Sequence, residues 1–259
     1  MNVLLSVGSH RRLVVAHRGN SARAPENTME AFQQSASLGV DGMEFDVRLT
    51  RDGRAIAMHD ATVDRTTNGS GAVAALTLAQ IRAFDAGARF TRDGGHTRPY
   101  AGRGIVAPTL EEVLDAFPSV PCIIEIKSLD VSAEVRRIVL DQRATDRCVV
   151  GSFVEHALDP FAGSGIPVGA TTSQMRALLW QGYLRQPVRR VPFQLVSTPA
   201  TYRHIPLPIG GWVRILEPLG IPVHVWTVDD TDVARRLWAK GARAILSNDP
   251  ATMLQVARS

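Results

Sequence analysis

The chain has 259 residues, of which 45% are hydrophobic and 21% are charged, values typical of a soluble globular protein with a large core. The formal net charge is +4 and the arginines are spread along the chain rather than gathered in blocks, which argues against a nucleic-acid partner. The apolar part of the N-terminus is too short for a secretory signal and no run approaches the ~18 apolar residues of a membrane span, so we expect a soluble, cytoplasmic protein.

The first predicted elements are a strand and a helix. An apolar run over 12–17 predicts the strand, and it ends in a His-Arg-Gly triplet. The segment 25–39 has the apolar spacing of a helix, with Pro25 in its first turn, Glu26 at its positive end and Gly39 at its close.

A hairpin and a long irregular segment follow. The run 40–50 predicts a second strand, the Asp-Gly turn within 51–53 reverses the chain, and 54–60 returns along it. Residues 61–107 then lose periodicity and are rich in Gly and Arg, with one short helix candidate at 77–84. Because so long a loop inside a compact domain is usually functional or an insertion, we interpret 61–107 as a small lid or subdomain.

From residue 109 onward, helix-period segments alternate with short apolar runs. The predicted helices lie at 109–117, 131–142, 155–162, 173–181, 210–219, 230–240 and 250–257. Without the returning hairpin arm, the predicted strands lie at 13–17, 41–47, 121–127, 148–152, 167–171, 193–197, 222–227 and 243–247. Eight strand–helix units at this length predict an α/β fold, a closed (β/α)8 TIM barrel in one domain over 1–259. A doubly wound sheet is the alternative, but no glycine-rich phosphate loop follows the first strand.

Polar side chains gather at the carboxyl ends of the predicted strands, where barrel enzymes carry their active sites. Glu44 and Asp46 are two residues apart and project to one side of the second strand, and Glu125 lies on the third. Three carboxylates at one mouth need protons or a cation, and hard divalent ions such as Mg²⁺ or Ca²⁺ prefer oxygen ligands. Buried ion pairs with Arg18 and Lys127 are the alternative.

Two histidines converge on these carboxylates. His17 ends the first strand, and the hairpin returns His59 to the level of Asp46. Two histidines at such a mouth suggest an acid/base pair, one taking a proton from a nucleophile and the other giving one to a leaving group. Arg18 and Lys127 would then bind an anion whose charge grows during reaction, as that of a phosphoryl group does.

The motifs resemble those of a known family. In chain order they are HRG, PENT, an E-x-D strand, T-x-DG, HD after the hairpin, RTTNG, PTLEEVL, IEIK, GSF, VWTV and a terminal NDP. They span essentially the whole chain, and the sequence is similar to the glycerophosphodiester phosphodiesterase family. The resemblance implies a TIM barrel with a small insertion after the HD pair. It also implies metal-dependent hydrolysis of glycerophosphodiesters to sn-glycerol 3-phosphate and an alcohol.

The resemblance further implies residue roles. By position, the metal ligands match Glu44, Asp46 and Glu125, the catalytic histidines match His17 and His59, the phosphate contacts match Arg18 and Lys127, and an aromatic that packs against substrate matches Trp226. One divalent cation, Mg²⁺ or Ca²⁺, is thereby implied, with a small glycerophosphodiester as substrate. At the last strand, where many members have IITD, this chain has ILSND, so no role is assigned to Asn248 or Asp249.

Several alternatives stay open. The nucleophile is either the glycerol 2-hydroxyl or water, neither histidine is assigned as the base, and the oligomeric state is not predicted. Glu26 would either orient Arg18 or serve only the helix dipole, and the second is favoured. A lysophospholipase D or sphingomyelinase-D-like enzyme would use the same site behind an apolar rim, for which 72–78 and 105–110 are candidates. A binding module without activity or a sugar isomerase fits the complete motif set less well.

Overall fold

In the computed structural model, which describes residues 2–8 and 11–258, strands and helices alternate along the chain. The strands are β1 Leu13–His17, β2 Gly42–Leu49, β3 Ala55–Ala57, β4 Cys122–Ile126, β5 Cys148–Ser152, β6 Val196–Pro199, β7 Thr201–Tyr202, β8 Ile205–Pro206, β9 Val223–Trp226 and β10 Ala244–Ser247. The helices are α1 Met29–Leu38, α2 Leu78–Arg82, α3 Leu110–Ala116, α4 Ser132–Asp141, α5 Thr172–Ala177, α6 Leu179–Leu184, α7 Ile209–Leu216, α8 Thr231–Ala239 and α9 Pro250–Arg258. Short 3-10 turns lie at Val3–Leu5, Val73–Ala75, Leu129–Val131, Asp159–Phe161 and Glu217–Leu219.

The strands form a nearly closed parallel barrel in the order β5-β4-β2-β1-β10-β9-β6, with β3 antiparallel on β2. Single parallel bridges close the gap between β5 and β6, joining Val150 to Val168 and Gly169 to Leu195. The barrel prediction is confirmed, and the doubly wound alternative is wrong. The predicted strand 167–171 is reduced to these bridges because Pro167 has no N–H to donate and Gly169 no side chain to pack.

Alternation along the strands separates a barrel interior from an outer layer. The interior apolar cluster consists of Leu4, Leu13, Val15, Ile123, Val149, Leu195, Ala244 and Leu246. Intervening residues face the helices, as where Phe45 meets Phe32 of α1 with ring centroids 5.4 Å apart. The same alternation turns the polar residues of β1, β2 and β4 inward at the carboxyl end of the barrel.

The first helix begins later than the sequence predicts. Thr28 is its N-cap, accepting the N–H of Ala31, and Gly39 ends it with a φ of +70°. Asn27, just before the cap, has a φ of +56°, which the helix cannot continue through. The expectation that Glu26 serves the helix dipole is therefore wrong, since Glu26 lies in the loop that precedes the helix.

The region between β5 and α7 departs furthest from the prediction. Only the 3-10 turn Asp159–Phe161 forms within the predicted helix 155–162, and the predicted helix 173–181 is divided into α5 and α6 at Leu178. The unpredicted hairpin β7–β8 follows β6. Pro160 and Gly163 limit the first segment, because proline and glycine both disfavour helix interiors.

The segment between β3 and α3 contains α2 and a cluster of its own. The cluster consists of the buried side chains Met58, Val63, Val73, Ile81 and Ala107, together with Ile56 of β3. The assignment of 61–107 as an insertion subdomain within a single domain over 1–259 stays a prediction. Among the described residues, no helix combines the length and apolarity needed to cross a membrane.

Replacing Gly19 by Ala should destabilise the protein and disturb the neighbouring His17. Gly19 has a φ of +81°, and an added Cβ would lie 2.7 Å from the Cβ of Ala31. Left-handed backbone and steric overlap act together, so we expect the free energy of unfolding to fall by about 2 kcal/mol or more in chemical denaturation.

Gly53→Ala is the matched control, because Gly53 has a φ of +74° with nothing within 4 Å of an added Cβ. It carries the backbone strain without the overlap. Equal losses for the two variants would show that the approach of Gly19 to α1 is unimportant.

The interior His224 should make stability depend on pH. It is fully buried, and burial lowers its pKa to about 3, with the backbone of Leu4 acting in the opposite direction. Its ring stays neutral in the folded state but gains a proton in the unfolded chain below about pH 6.5. The contribution of His224 to the free energy of unfolding is therefore complete above that pH. It is lost as the pH falls toward 3, at up to about 1.4 kcal/mol per pH unit.

Urea unfolding of wild type and His224→Leu between pH 7 and 4 tests this dependence. The variant should show a shallower loss of stability over that window, with His96→Leu at an exposed position as the control. Identical pH slopes for wild type and His224→Leu would contradict the assignment.

Candidate active site

A cavity of about 310 Å³ opens at the carboxyl ends of the strands. Of the eight residues singled out in the sequence, seven line it: His17, Arg18, Glu44, His59, Glu125, Lys127 and Trp226. The eighth, Asp46, is buried and contacts Arg18 and Lys127. The fold thus brings all eight residues together at one mouth.

Three carboxylates form the centre of the site. Glu44, Asp46 and Glu125 each offer an oxygen within 4.8 Å of the others. The closeness follows from the sheet, because Glu44 and Asp46 share one face of β2, and Asp46 pairs in register with Glu125 on β4. A set of oxygen donors this compact could hold a metal ion.

Two cations neutralise part of this charge. The Nζ of Lys127 lies 2.9 Å from Oδ1 of Asp46 and also contacts Glu125, and Nε of Arg18 lies 3.1 Å from Oδ2 of Asp46. Burial alone would raise the pKa of Asp46, but Lys127 and Arg18 hold it below its usual range. The ion pairs considered from the sequence are therefore present for Asp46 and Glu125.

Glu44 is the carboxylate left short of partners. Its Oε2 accepts the backbone N–H of Arg18 at 3.1 Å, while its buried Oε1 has no hydrogen-bond partner among the described residues. Burial, and then the charges of Asp46 and Glu125, raise the pKa of Glu44 well above its usual range. An unpaired buried carboxylate oxygen beside two more carboxylates fits a bound cation, because a cation would satisfy that oxygen and offset the repulsion.

A hydrogen-bond chain determines which nitrogen of His17 carries the proton. Asn248 donates its Nδ2 to Asp229 at 2.8 Å, so its Oδ1 faces Nδ1 of His17 at 2.7 Å and also accepts the hydroxyl of Ser21. Nδ1 must therefore be the donor, which leaves a lone pair on Nε2, 3.8 Å from Oε2 of Glu44. Burial lowers the pKa of His17, which favours the neutral ring.

His59 has a different, ionic partner. Its Nδ1 lies 2.6 Å from Asp60, which Arg65 binds through Nε at 2.6 Å. Arg65 then reaches Glu26 at 2.7 Å, and Glu26 accepts from Arg18 at 2.9 Å. A continuous ionic chain thus joins His59 to Arg18 across the mouth.

This chain fixes the charges of its two carboxylates. The hydrogen bond from Arg65 holds the pKa of Asp60 far below its usual range. Burial would raise the pKa of Glu26, but Arg65 and Arg18 lower it. The contact of Glu26 with Arg18 supports the orienting role that the sequence left open.

Sequence reasoning missed three of the polar residues that order this site. Asn248 and Asp229 follow β10 and β9, and Asn27 donates to Oδ2 of Asp46 at 2.9 Å. The rule that located the other candidates, polar residues at the carboxyl ends of barrel strands, also applies to Asn248 and Asp229. Nothing in the sequence alone pairs Asn27 with Asp46, because 19 residues separate them.

An aromatic pair forms part of the cavity wall. Trp226 lines the cavity and contacts Phe153 edge-on, with ring centroids 5.5 Å apart. Phe153 is 50% exposed, so the pair continues the wall outward to the surface. Trp226 therefore lies between the cavity and the interior apolar cluster, against which it also packs.

Comparison with known proteins gives one consistent result. A model of the glycerophosphoryl diester phosphodiesterase family matches residues 17–156. A glycerophosphodiester phosphodiesterase of Caldanaerobacter subterraneus subsp. tengcongensis is 31% identical over 258 residues, which cover 96% of this chain and 98% of the relative.

Solved structures show the same fold. The glycerophosphoryl diester phosphodiesterase domain of an uncharacterised Mycobacterium tuberculosis protein superposes with a TM-score of 0.85 at 22% identity, covering 95% of this chain and 98% of that one. A phosphodiesterase of Oleispira antarctica, solved in complex with the product sn-glycerol-3-phosphate, gives a TM-score of 0.75 at 22% identity, covering 96% and 98%.

The protonation site of His17 can be measured directly. In two-bond ¹H–¹⁵N spectra of histidine-labelled protein at pH 8, we expect His17 to carry its proton on Nδ1. Asn248→Ala should abolish this preference, because the Oδ1 acceptor is lost. The surface residue His156 provides an internal reference whose signals should not move, and an Nε2-protonated His17 in wild type would contradict the hydrogen-bond chain.

Proposed function

The chain belongs to the glycerophosphoryl diester phosphodiesterase family and is a phosphodiester hydrolase, and we propose that it cleaves glycerophosphodiesters to sn-glycerol 3-phosphate and an alcohol. The family resemblance found in the motifs is thereby confirmed. One observation carries the proposal: two histidines, three carboxylates and two cationic side chains converge on one cavity.

One divalent cation, Mg²⁺ or Ca²⁺, would be held by Glu44, Asp46 and Glu125. The unpaired Oε1 of Glu44 and the compact set of oxygen donors support this assignment. When bound, the ion would draw charge from the phosphoryl oxygens, as metal ions do in phosphoryl transfer.

His17 is proposed as the general base and His59 as the general acid. The lone pair on Nε2 of His17 suits it to take a proton from the nucleophile, either the glycerol 2-hydroxyl or water. His59 bonds the carboxylate of Asp60 through Nδ1 at 2.6 Å, and this contact positions the ring to protonate the leaving alcohol.

Arg18 and Lys127 are proposed to bind the phosphate, and Trp226 to pack against the glycerol. Arg18 keeps its position through Glu26, so a substrate anion would meet a guanidinium already oriented toward the cavity. Preorganised cations of this kind stabilise the charge that develops on a transferring phosphoryl group.

A lysophospholipase D or sphingomyelinase-D-like activity at the same site is the second candidate. The sequence placed the required apolar rim at 72–78 and 105–110, but Val73 and Ala107 are buried in their own cluster. The half-exposed Phe153 beside Trp226 is the observation that favours this candidate, because it extends the cavity wall with apolar surface.

Metal-dependent product release is the central test. Protein treated with EDTA and then supplied with Mg²⁺ or Ca²⁺ should release sn-glycerol 3-phosphate from glycerophosphocholine. His17→Ala and His59→Ala should each lower kcat by about 10²- to 10⁴-fold, the usual contribution of an acid or base. Glu44→Gln should weaken the binding of the same ion in calorimetric titration, because the ion loses a charged ligand.

His156→Ala is the matched control, since it removes an exposed histidine that is not among the residues lining the cavity. Full activity in EDTA would exclude the metal role, and an unchanged rate in either active-site histidine variant would exclude that histidine. Choline release from lysophosphatidylcholine without glycerol 3-phosphate from the diester would establish the second candidate instead.

A further inference from the structure

Exposed apolar side chains are concentrated on α6 and the β7–β8 hairpin. Of the seven large apolar side chains exposed among the described residues, five lie there, with exposed fractions from 42% to 70%. We call these five the apolar patch: Trp180, Tyr183, Leu184, Tyr202 and Ile205. Soluble proteins rarely leave such a cluster in water without a partner.

The five residues lie on two adjoining elements, α6 and the β7–β8 hairpin. Trp180, Tyr183 and Leu184 are spaced three and four apart and therefore occupy one face of α6. Tyr202 and Ile205 face each other across the hairpin. The hydroxyl of Tyr183 donates to the carbonyl of Pro206 at 2.6 Å and so joins the helix to the hairpin.

The patch is held on a rigid support. On its inner side α6 lies so close to α7 that a Cβ on Gly182 would be 2.5 Å from Nε1 of Trp212, and one on Gly211 would overlap the carbonyl of Gly182. The Trp212 indole also donates to the carbonyl of Leu178 at 3.0 Å. The outward side chains are therefore a fixed feature of the surface.

The patch lies at the same end of the barrel as the cavity. Helix α5, which leads into α6, follows the closing residues 167–170, and the hairpin follows β6 directly. Both connections leave the carboxyl ends of strands. Pro199, the last residue of β6, pairs with Trp226 in the cavity wall.

The segment that carries the patch is also uniformly basic. Residues 160–216 contain no Asp or Glu, whereas they contain six arginines at 176, 185, 189, 190, 203 and 214. The rest of the chain has 23 basic and 25 acidic residues, so the positive net charge comes from this segment alone. All six arginines are exposed, and in the part of the chain that the structure describes none forms an ion pair.

We propose that α6 and the β7–β8 hairpin dock the active-site end of the barrel onto an anionic phospholipid membrane. Trp and Tyr favour the headgroup level of a bilayer, and arginines beside them are attracted to an anionic leaflet. A second copy of this chain fits less well, because a symmetric contact would oppose one arginine-rich face to another. The proposal concerns where the enzyme works and holds whichever diester is cleaved.

Vesicle sedimentation tests the proposal with intact protein. We expect binding to phosphatidylcholine vesicles that contain phosphatidylglycerol, weak binding to phosphatidylcholine alone, and loss of binding in high salt. The double variant R185Q/R203Q should bind about 25-fold more weakly, taking about fivefold for each arginine at an anionic surface. Leu184→Ser should also weaken binding, because it removes apolar contact with the bilayer.

Matched controls remove equivalent residues outside the patch. R92Q/R236Q removes two exposed arginines, and Leu129→Ser removes an apolar side chain that is 55% exposed. Both controls should bind as wild type, and all variants should keep wild-type unfolding curves. Activity on soluble glycerophosphocholine should be unchanged in the patch variants, which separates failure of docking from failure of the proposed chemistry.

Three outcomes would overturn the proposal. They are absence of binding to anionic vesicles, equal losses in patch and control variants, and a concentration-dependent dimer that Leu184→Ser dissociates.

Discussion

Crowding of three carboxylates at the carboxyl end of the barrel is the constraint on which the rest of the site depends. Alternation along β2 and register with β4 force Glu44, Asp46 and Glu125 together at the cavity, where Glu44 and Asp46 are buried. The groups around the three carboxylates offset their negative charge. Arg18 and Lys127 bind Asp46. The buried Oε1 of Glu44 has no hydrogen-bond partner among the described residues, so these two cations leave it unsatisfied.

The two histidines occupy contrasting environments around this centre. His17 meets a neutral amide whose orientation Asp229 fixes through Asn248, whereas His59 meets the carboxylate of Asp60. Identical side chains thereby have chemically different hydrogen-bond partners. Acid/base catalysis by a pair needs one group to accept a proton and the other to give one, and the proposed roles of His17 and His59 rest on this difference in partners.

The cavity and the apolar patch with its arginines lie at the same end of the barrel. The cavity opens among strand ends, and the arginine-rich surface with its exposed aromatics is built on connections that leave the same strand ends. A parallel barrel concentrates its variable connections there, since all strands point the same way. The proposed membrane docking and the proposed reaction in the cavity can therefore both use this end of the barrel without altering the core.

Local sequence determined the barrel, the hairpin and the eight candidate residues, because strand alternation and turn chemistry act over a few residues. It misplaced the start of α1, overextended the strand at 167–171 and missed the β7–β8 hairpin, where Pro, Gly and capping side chains outweigh periodicity. Only the tertiary structure decided the partners: Asn248 on His17, Glu26 on Arg18 and Asn27 on Asp46. The Asn248 and Asn27 contacts join residues far apart in the chain, and the Glu26 contact depends on where the first helix begins. Residue spacing along the sequence therefore does not predict these contacts.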